Sequence, residues 1–290
     1  MSDIPTCPAP IANPKTPRFV LPPNACDCHF HVFGPYDRFP LNTTRNYSPP
    51  EATVASYQRV MRTLGLERCV IVQPSVYGSD NSATLEAARI LNAPQSCRIV
   101  AVIDETTNPD TIERLHQAGV RGLRFNLVAG GGPDLNRIRS VARRIADWKW
   151  HIQIYATTET IAEAAPTLAD LDIDLVIDHF GSIAGKDLST VQAKAIFRLI
   201  DRGRTWVKLS GGYICSREIA PWSDMKIVAR ALVDLRPDRI VWGTNWPHPV
   251  RYGPMPDDGD LVDAVEMWVE DEALIHRIFV ENPAELYGFD

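Results

Sequence analysis

The chain has 290 residues, 45 % of them hydrophobic and 23 % charged, with a formal net charge of −6. That composition supports one large apolar core and excludes a disordered or fibrous chain. No basic stripe points to nucleic acid, and no apolar run approaches the about 20 residues of a membrane-spanning helix.

Residues 1–24 carry seven prolines and no periodicity. They read as an extended arm, either wrapped on the domain at 25–290 or partly disordered, and lack the charged-then-apolar pattern of a secretory leader. From residue 25, short β-branched runs recur at ACDCHFH (25–31), CVIVQP (69–74), RIVAVID (98–104), VRGLRFN (120–126), HIQIYA (151–156), DLVIDHF (174–180), TWVKLS (205–210) and RIVWGTN (239–245). Their length and composition are those of buried parallel strands.

Segments with apolar residues three and four apart lie between them, including 49–65, 81–92, 108–119 and 135–147. Asn81, and Asp110 just after Pro109, are expected to start helices, and Gly65 and Gly119 to close them in the left-handed conformation. Eight strands alternating with helices predict an α/β fold, a single (β/α)8 barrel. An open doubly wound sheet is the alternative, but no G-x-G-x-x-G follows the first run. The six cysteines (Cys7, Cys26, Cys28, Cys69, Cys97, Cys215) form no C-x-x-C. They are expected to be reduced thiols of a cytoplasmic protein.

In such barrels the site forms at the C-terminal ends of the strands. His29 and His31 end the first run two residues apart and are expected to point inward together. Arg124 and Asn126 end the fourth run, Tyr155 the fifth, His179 the sixth and Asn245 the eighth, with His248 three residues on. H-x-H alone also suits two hydrogen-bonded core histidines. Joined by His179 it points to three imidazoles at one mouth, suited to zinc or to proton transfer near neutral pH. An inward Arg124 needs an anion, and a substrate carboxylate fits better than a surface ion pair. Tyr47 and Ser75 stand on loops near the mouth, where substrate binding and turn structure are equally open. Asp27 and Asp178 are expected to face outward and support the helix layer, and His116, His151 and His276 to be structural or exposed.

At CDCHFHVFGP (26–35), IVQPSVYGSDNSATL (71–85), RGLRFN (121–126), VIDHFG (176–181) and WGTNWPHP (242–249) the chain resembles the amidohydrolase superfamily. It is most similar to the branch containing 2-pyrone-4,6-dicarboxylate lactonases, 4-sulfomuconolactone hydrolases and galactarolactone isomerases. The resemblance implies that His29, His31, His179, Asn245 and His248 are catalytic. It further implies that Tyr47, Ser75, Arg124, Asn126 and Tyr155 hold substrate. Lactonases of the branch read WGTDWPHP, so Asn245 removes an expected carboxylate base. The arginines that pyrone lactonases carry after the fourth and sixth strands are missing from 124–132 and 178–185. The stretch WVKLSGGYICSRE (206–218) resembles the isomerases and makes Arg217 a second candidate anion contact.

These features predict an enzyme that opens the ring of a small carboxylated, anionic lactone, or one that moves the ring by attack of a substrate hydroxyl. Ring opening by water needs a base and donors for the oxyanion. Three accounts of Asn245 stay open: an aspartate replaced to trap substrate, a native amide with His248 or His31 as base, or chemistry without water. No lysine ends the fourth strand to bridge two metals. One Zn2+ on His29, His31 and His179 is the alternative to metal-free chemistry, which is preferred because an amide is a poor zinc ligand. The oligomeric state is not legible.

Overall fold

The computed structural model describes residues 4–104, 106–128 and 134–289. Part of the loop 124–132 read above therefore lies outside the described residues. Strands β1 (Cys26–Phe30), β2 (Arg68–Val72), β3 (Cys97–Ala101), β4 (Val120–Asn126), β5 (His151–Tyr155), β6 (Leu175–Ile177), β7 (Thr205–Ser210) and β8 (Ile240–Gly243) form one parallel sheet in chain order. The connections carry α1 (Val54–Leu64), α2 (Ser82–Ile90), α3 (Pro109–Gln117), α4 (Ile138–Ile145), α5 (Thr158–Ala169), α6 (Val191–Asp201), the short α7 (Gly212–Cys215) and α8 (Lys226–Leu235). After β8 come α9 (Asp258–Val269), α10 (Glu272–His276) and α11 (Asn282–Tyr287).

The barrel closes through the segment that follows β8. The Asn245 amide donates to the His29 carbonyl at 2.7 Å, and the His31 amide to the Trp246 carbonyl at 2.7 Å. This seam sets Asn245 beside the His29–His31 pair.

Two apolar layers follow from strand parity. Outward residues such as Ile71, Ile99, Leu123, Ile152 and Ile177 pack with the helices, while Cys28, Val70, Val100, Val176 and Val241 fill the barrel. Tyr287 and Phe289 close the barrel's lower end, and the guanidiniums of Arg68 and Arg98 lie over the Phe289 ring. All six cysteines are free and buried. Among the described residues no helix is long and apolar enough to cross a membrane.

Helix ends differ in part from the sequence expectation. Gly65 closes α1 at φ 79°, as its place in the sequence indicated. The cap of α3 is Asn108, whose side chain accepts from the Thr111 amide, not Asp110, which lies in the first turn behind Pro109. Asn81 precedes α2 without capping it; its amide group instead ties to the Val102 backbone through both ends. The arm lies along the barrel mouth, with the Cys7 amide on the Ser48 carbonyl and the Arg18 and Phe19 amides on Asp263.

Candidate active site

A cavity of about 240 Å3 opens at the C-terminal ends of the strands. His31, Tyr47, Arg124, Asn126, Tyr155, His179 and Asn245 line it, with Pro5 of the arm and Asn46. Val128, Ile214, Val250 and Tyr252 make an apolar rim. Arg124 is the one cation and there is no carboxylate among the described lining residues.

The other expected site residues lie elsewhere. His29 forms the floor below His31, with Nε2 to Nε2 at 3.3 Å. Ser75 donates to the Tyr47 hydroxyl at 3.4 Å rather than lining the cavity. Arg217 is exposed on the loop after α7 and does not line it. His248 is buried behind Asn245: Nδ1 lies 3.0 Å from the Tyr213 hydroxyl, and Nε2 lies 3.3 Å from Asp258 without a well-aligned hydrogen bond. Fully buried, His248 does not line the cavity.

Asp178 corrects the sequence expectation. Expected on the outward face with Asp27, it points into the barrel instead, 3.3 Å from His29 Nδ1, 3.6 Å from Lys208 Nζ and 3.8 Å from Arg124. Strict alternation along β6 puts Val176 and Asp178 inside and would put His179 outside. The backbone takes a left-handed turn at His179, φ 52°, which swings that ring back into the mouth. Asp27 does face outward, accepting from Tyr57 of α1 and from Thr244. An irregularity in β1 between Asp27 and Phe30 lets His29 turn inward just after the inward Cys28. Asn245 and His248 share the left-handed conformation, both at φ 60°. Non-glycine residues rarely hold it, and such strained positions cluster at functional sites.

Sequence reading missed Lys208. It is fully buried in β7, donates to Gln153 at 2.7 Å, and stands 3.4 Å from His29 Nδ1. Burial alone would raise the Asp178 carboxyl, but His29 and Lys208 hold it well below the usual carboxylate range. Burial pushes His29 and His31 well below the ordinary imidazole value, and His179 to about 4 despite Asp178. The floor is thus an ammonium–carboxylate pair beneath neutral imidazoles.

Neutrality fixes the proton of His31. The Val72 carbonyl can only accept, so His31 donates through Nδ1 at 2.7 Å and its Nε2 carries the lone pair. His29 Nε2 lies 3.3 Å from His31 Nε2, and its Nδ1 stands between the Lys208 ammonium at 3.4 Å and the Asp178 carboxylate at 3.3 Å. His179 Nδ1 meets the Ser210 hydroxyl at 2.8 Å, and its Nε2 has no partner among the described residues. Burial raises the Tyr155 phenol to about 12, so it stays a neutral donor at the cavity wall.

Ligand atoms of His29, Asp178 and His179 come within 4.8 Å of one another, a spacing one divalent ion could bridge; His31 is not in that set. Lys208 already supplies the positive charge there, and Arg124 supplies a second. A dication within a few ångströms of both would meet strong repulsion in a water-poor site. The residues fit an internal ion pair better than a resident metal.

Comparison with known proteins agrees with this geometry. The 4-sulfomuconolactone hydrolase of Hydrogenophaga intermedia is 35 % identical, with 98 % of this chain and 95 % of that protein covered. The D-galactarolactone isomerase of Agrobacterium fabrum (strain C58) is 33 % identical, with 93 % of each covered. An apo crystal structure from Agrobacterium tumefaciens superposes with a TM-score of 0.85 at 31 % identity, covering 94 % of this chain and 99 % of that one. The family pattern for amidohydrolases matches residues 26–289. An enzyme by this kinship and a barrel by its strands, the chain belongs to the amidohydrolase family.

Proposed function

We propose that this protein is a hydrolase that opens the ring of a small lactone bearing one carboxylate. The observation that carries the reading is the convergence of His31, His179, Arg124, Tyr155 and Asn245 on one cavity where Arg124 is the one cation among the described lining residues. The names of the relatives, lactone hydrolases and a lactone isomerase, support the same chemistry.

Arg124 holds the substrate carboxylate, with Tyr47 and Asn126 beside it. His179 Nε2 and the Tyr155 hydroxyl face the ring carbonyl and stabilise its developing oxyanion. His31 Nε2, the lone-pair nitrogen, takes a proton from water as the water oxygen attacks that carbon. When the ring C–O bond breaks, the leaving oxygen recovers that proton from His31. Asn245 cannot take a proton and orients the water instead. The internal Lys208–Asp178 pair supports metal-independent chemistry. Six free thiols suit a reducing cytoplasm.

Isomerisation is the second reading, favoured by Asn245: an attacking substrate hydroxyl needs orientation more than a strong base. Proton NMR in D2O of the protein with carboxylated γ- and δ-lactones separates the two. Free ring-opened acid is expected; a rearranged lactone without net acid would select the isomerase, and no reaction with any lactone would overturn both. Asn245→Asp, which places a carboxylate near the water, is expected to keep or raise the hydrolytic rate. Near-stoichiometric zinc in protein purified without added metal, with activity lost on chelation, would reject the metal-free reading.

A further inference from the structure

Behind Asn245 runs a buried chain that reaches the start of α9. Asn245 Nδ2 lies 2.8 Å from the Tyr213 hydroxyl oxygen, that oxygen lies 3.0 Å from His248 Nδ1, and His248 Nε2 lies 3.3 Å from Asp258 Oδ1. Tyr213, His248 and Asp258 are all buried and none lines the cavity. We propose that Tyr213, His248 and Asp258 are positioning residues that hold the Asn245 amide with Oδ1 turned to the cavity, as acceptor for the hydroxyl that attacks the lactone. The proposal rests on the lactone reading of the cavity.

The direction of each bond follows from what each group can give. An amide nitrogen only donates, so the Tyr213 oxygen accepts from Asn245 and its own proton is free for His248. His248 Nδ1 is then an acceptor, which leaves the ring proton on Nε2, the edge that faces Asp258. Burial pushes the Tyr213 phenol up, so it remains a hydroxyl and can donate. Neither the Asp258 oxygens nor His248 Nε2 has a well-aligned hydrogen bond among the described residues, although the two groups face each other at 3.3 Å. Asp258 faces the His248 edge from the first turn of α9, where the helix dipole favours an anion.

The consequence lies at the other end of the amide. Asn245 lines the cavity, and its Oδ1 has no partner among the described residues. Reversing the amide would set Oδ1 against Tyr213 and force the hydroxyl to turn from His248. The chain therefore selects one of two nearly isosteric orientations, and only that one offers an acceptor to a water or substrate hydroxyl.

The first test needs no substrate. In a spectrum of 15N-labelled protein the Asn245 side-chain NH2 pair is assigned by its loss in Asn245→Asp. One of its protons is expected downfield, bonded to Tyr213, and Tyr213→Phe is expected to return it to the solvent-exposed range. Asp258→Asn, which weakens the far end and keeps the packing, is expected to move it the same way by less. A pair unchanged in Tyr213→Phe would overturn the proposal.

The second test is kinetic. Tyr213→Phe is expected to lower kcat about tenfold, the weight of one hydrogen bond, with a smaller change in KM. In the Asn245→Asp background the same change is expected to cost less than about twofold, because a carboxylate presents an acceptor in either orientation. Equal losses in both backgrounds would show a purely structural role and overturn the proposal. If no lactone is turned over, the lactone reading fails by itself while the NMR result on the amide still stands.

Discussion

A fully buried ammonium is among the costliest groups a barrel can hold, and Lys208 is tolerated because Asp178 stands 3.6 Å away and Gln153 accepts from it. Removing one partner leaves the other charge unpaired and desolvated. Lys208→Met is therefore expected to lower the unfolding free energy by about 3–5 kcal/mol, measured in urea. Adding Asp178→Asn should recover part of the loss, since the two residues share one interaction. A loss below about 1 kcal/mol, typical of exposed pairs, would show that water reaches the floor. Neither member of the pair was legible as such. In a parallel barrel both faces of a strand are buried, so alternation in TWVKLS does not say which residue faces in. At VIDHF the left-handed His179 breaks the parity on which the outward assignment of Asp178 depended.

At the scale of elements, the seam between β1 and β8 places the histidine pair. Gly243 lies on that seam, where an added Cβ would stand 2.7 Å from both the backbone nitrogen and the Cβ of His29. A backbone atom cannot step aside, so Gly243→Ala must displace β1 or β8. The expected cost is about 1–3 kcal/mol of stability, with a fall in kcat because His29 and Asn245 share the displaced seam. Gly65→Ala provides the contrast. Nothing lies within 4 Å of its added Cβ, but φ of 79° strains any side chain there. It should cost roughly 1 kcal/mol and leave kcat unchanged, since α1 ends far from the mouth. Urea unfolding and steady-state rates on both variants test the distinction, and a full kcat in Gly243→Ala would detach the seam from catalysis. The strands themselves were legible because β-branched runs bounded by turn residues have no competing helical period. The local chemistry of the caps was less so: Asn108, not Asp110, takes the bond because Pro109 fixes the first helical position after it.

For the whole molecule, burial of neutral imidazoles makes stability depend on pH. His29 and His31 are held well below the ordinary imidazole value, His179 is lowered to about 4, and His151, buried at the lower end, to about 3. When the chain unfolds below about pH 6.5, each regains an ordinary affinity for a proton. The unfolded state then binds more protons, so stability rises with pH through this window and falls as acid is added. Asp27 acts in the opposite sense. Burial raises it to about 6, against the hydrogen bonds from Thr244, His29 and Tyr57, so its contribution is present at low pH and lost as pH rises through about 6. Between about pH 4 and pH 6 four imidazoles thus oppose one carboxyl, a net uptake of up to about three protons on unfolding. With about 1.4 kcal/mol per proton per pH unit, the unfolding free energy should climb by up to about 4 kcal/mol per unit across that range. Urea titrations at half-unit steps measure the slope. Replacing His151 with a neutral isostere such as Gln should reduce it by about one proton's worth, because that ring lies outside the cavity. A flat or falling profile would mean that the imidazoles are charged in the folded state, which would also remove the lone pair assigned to His31.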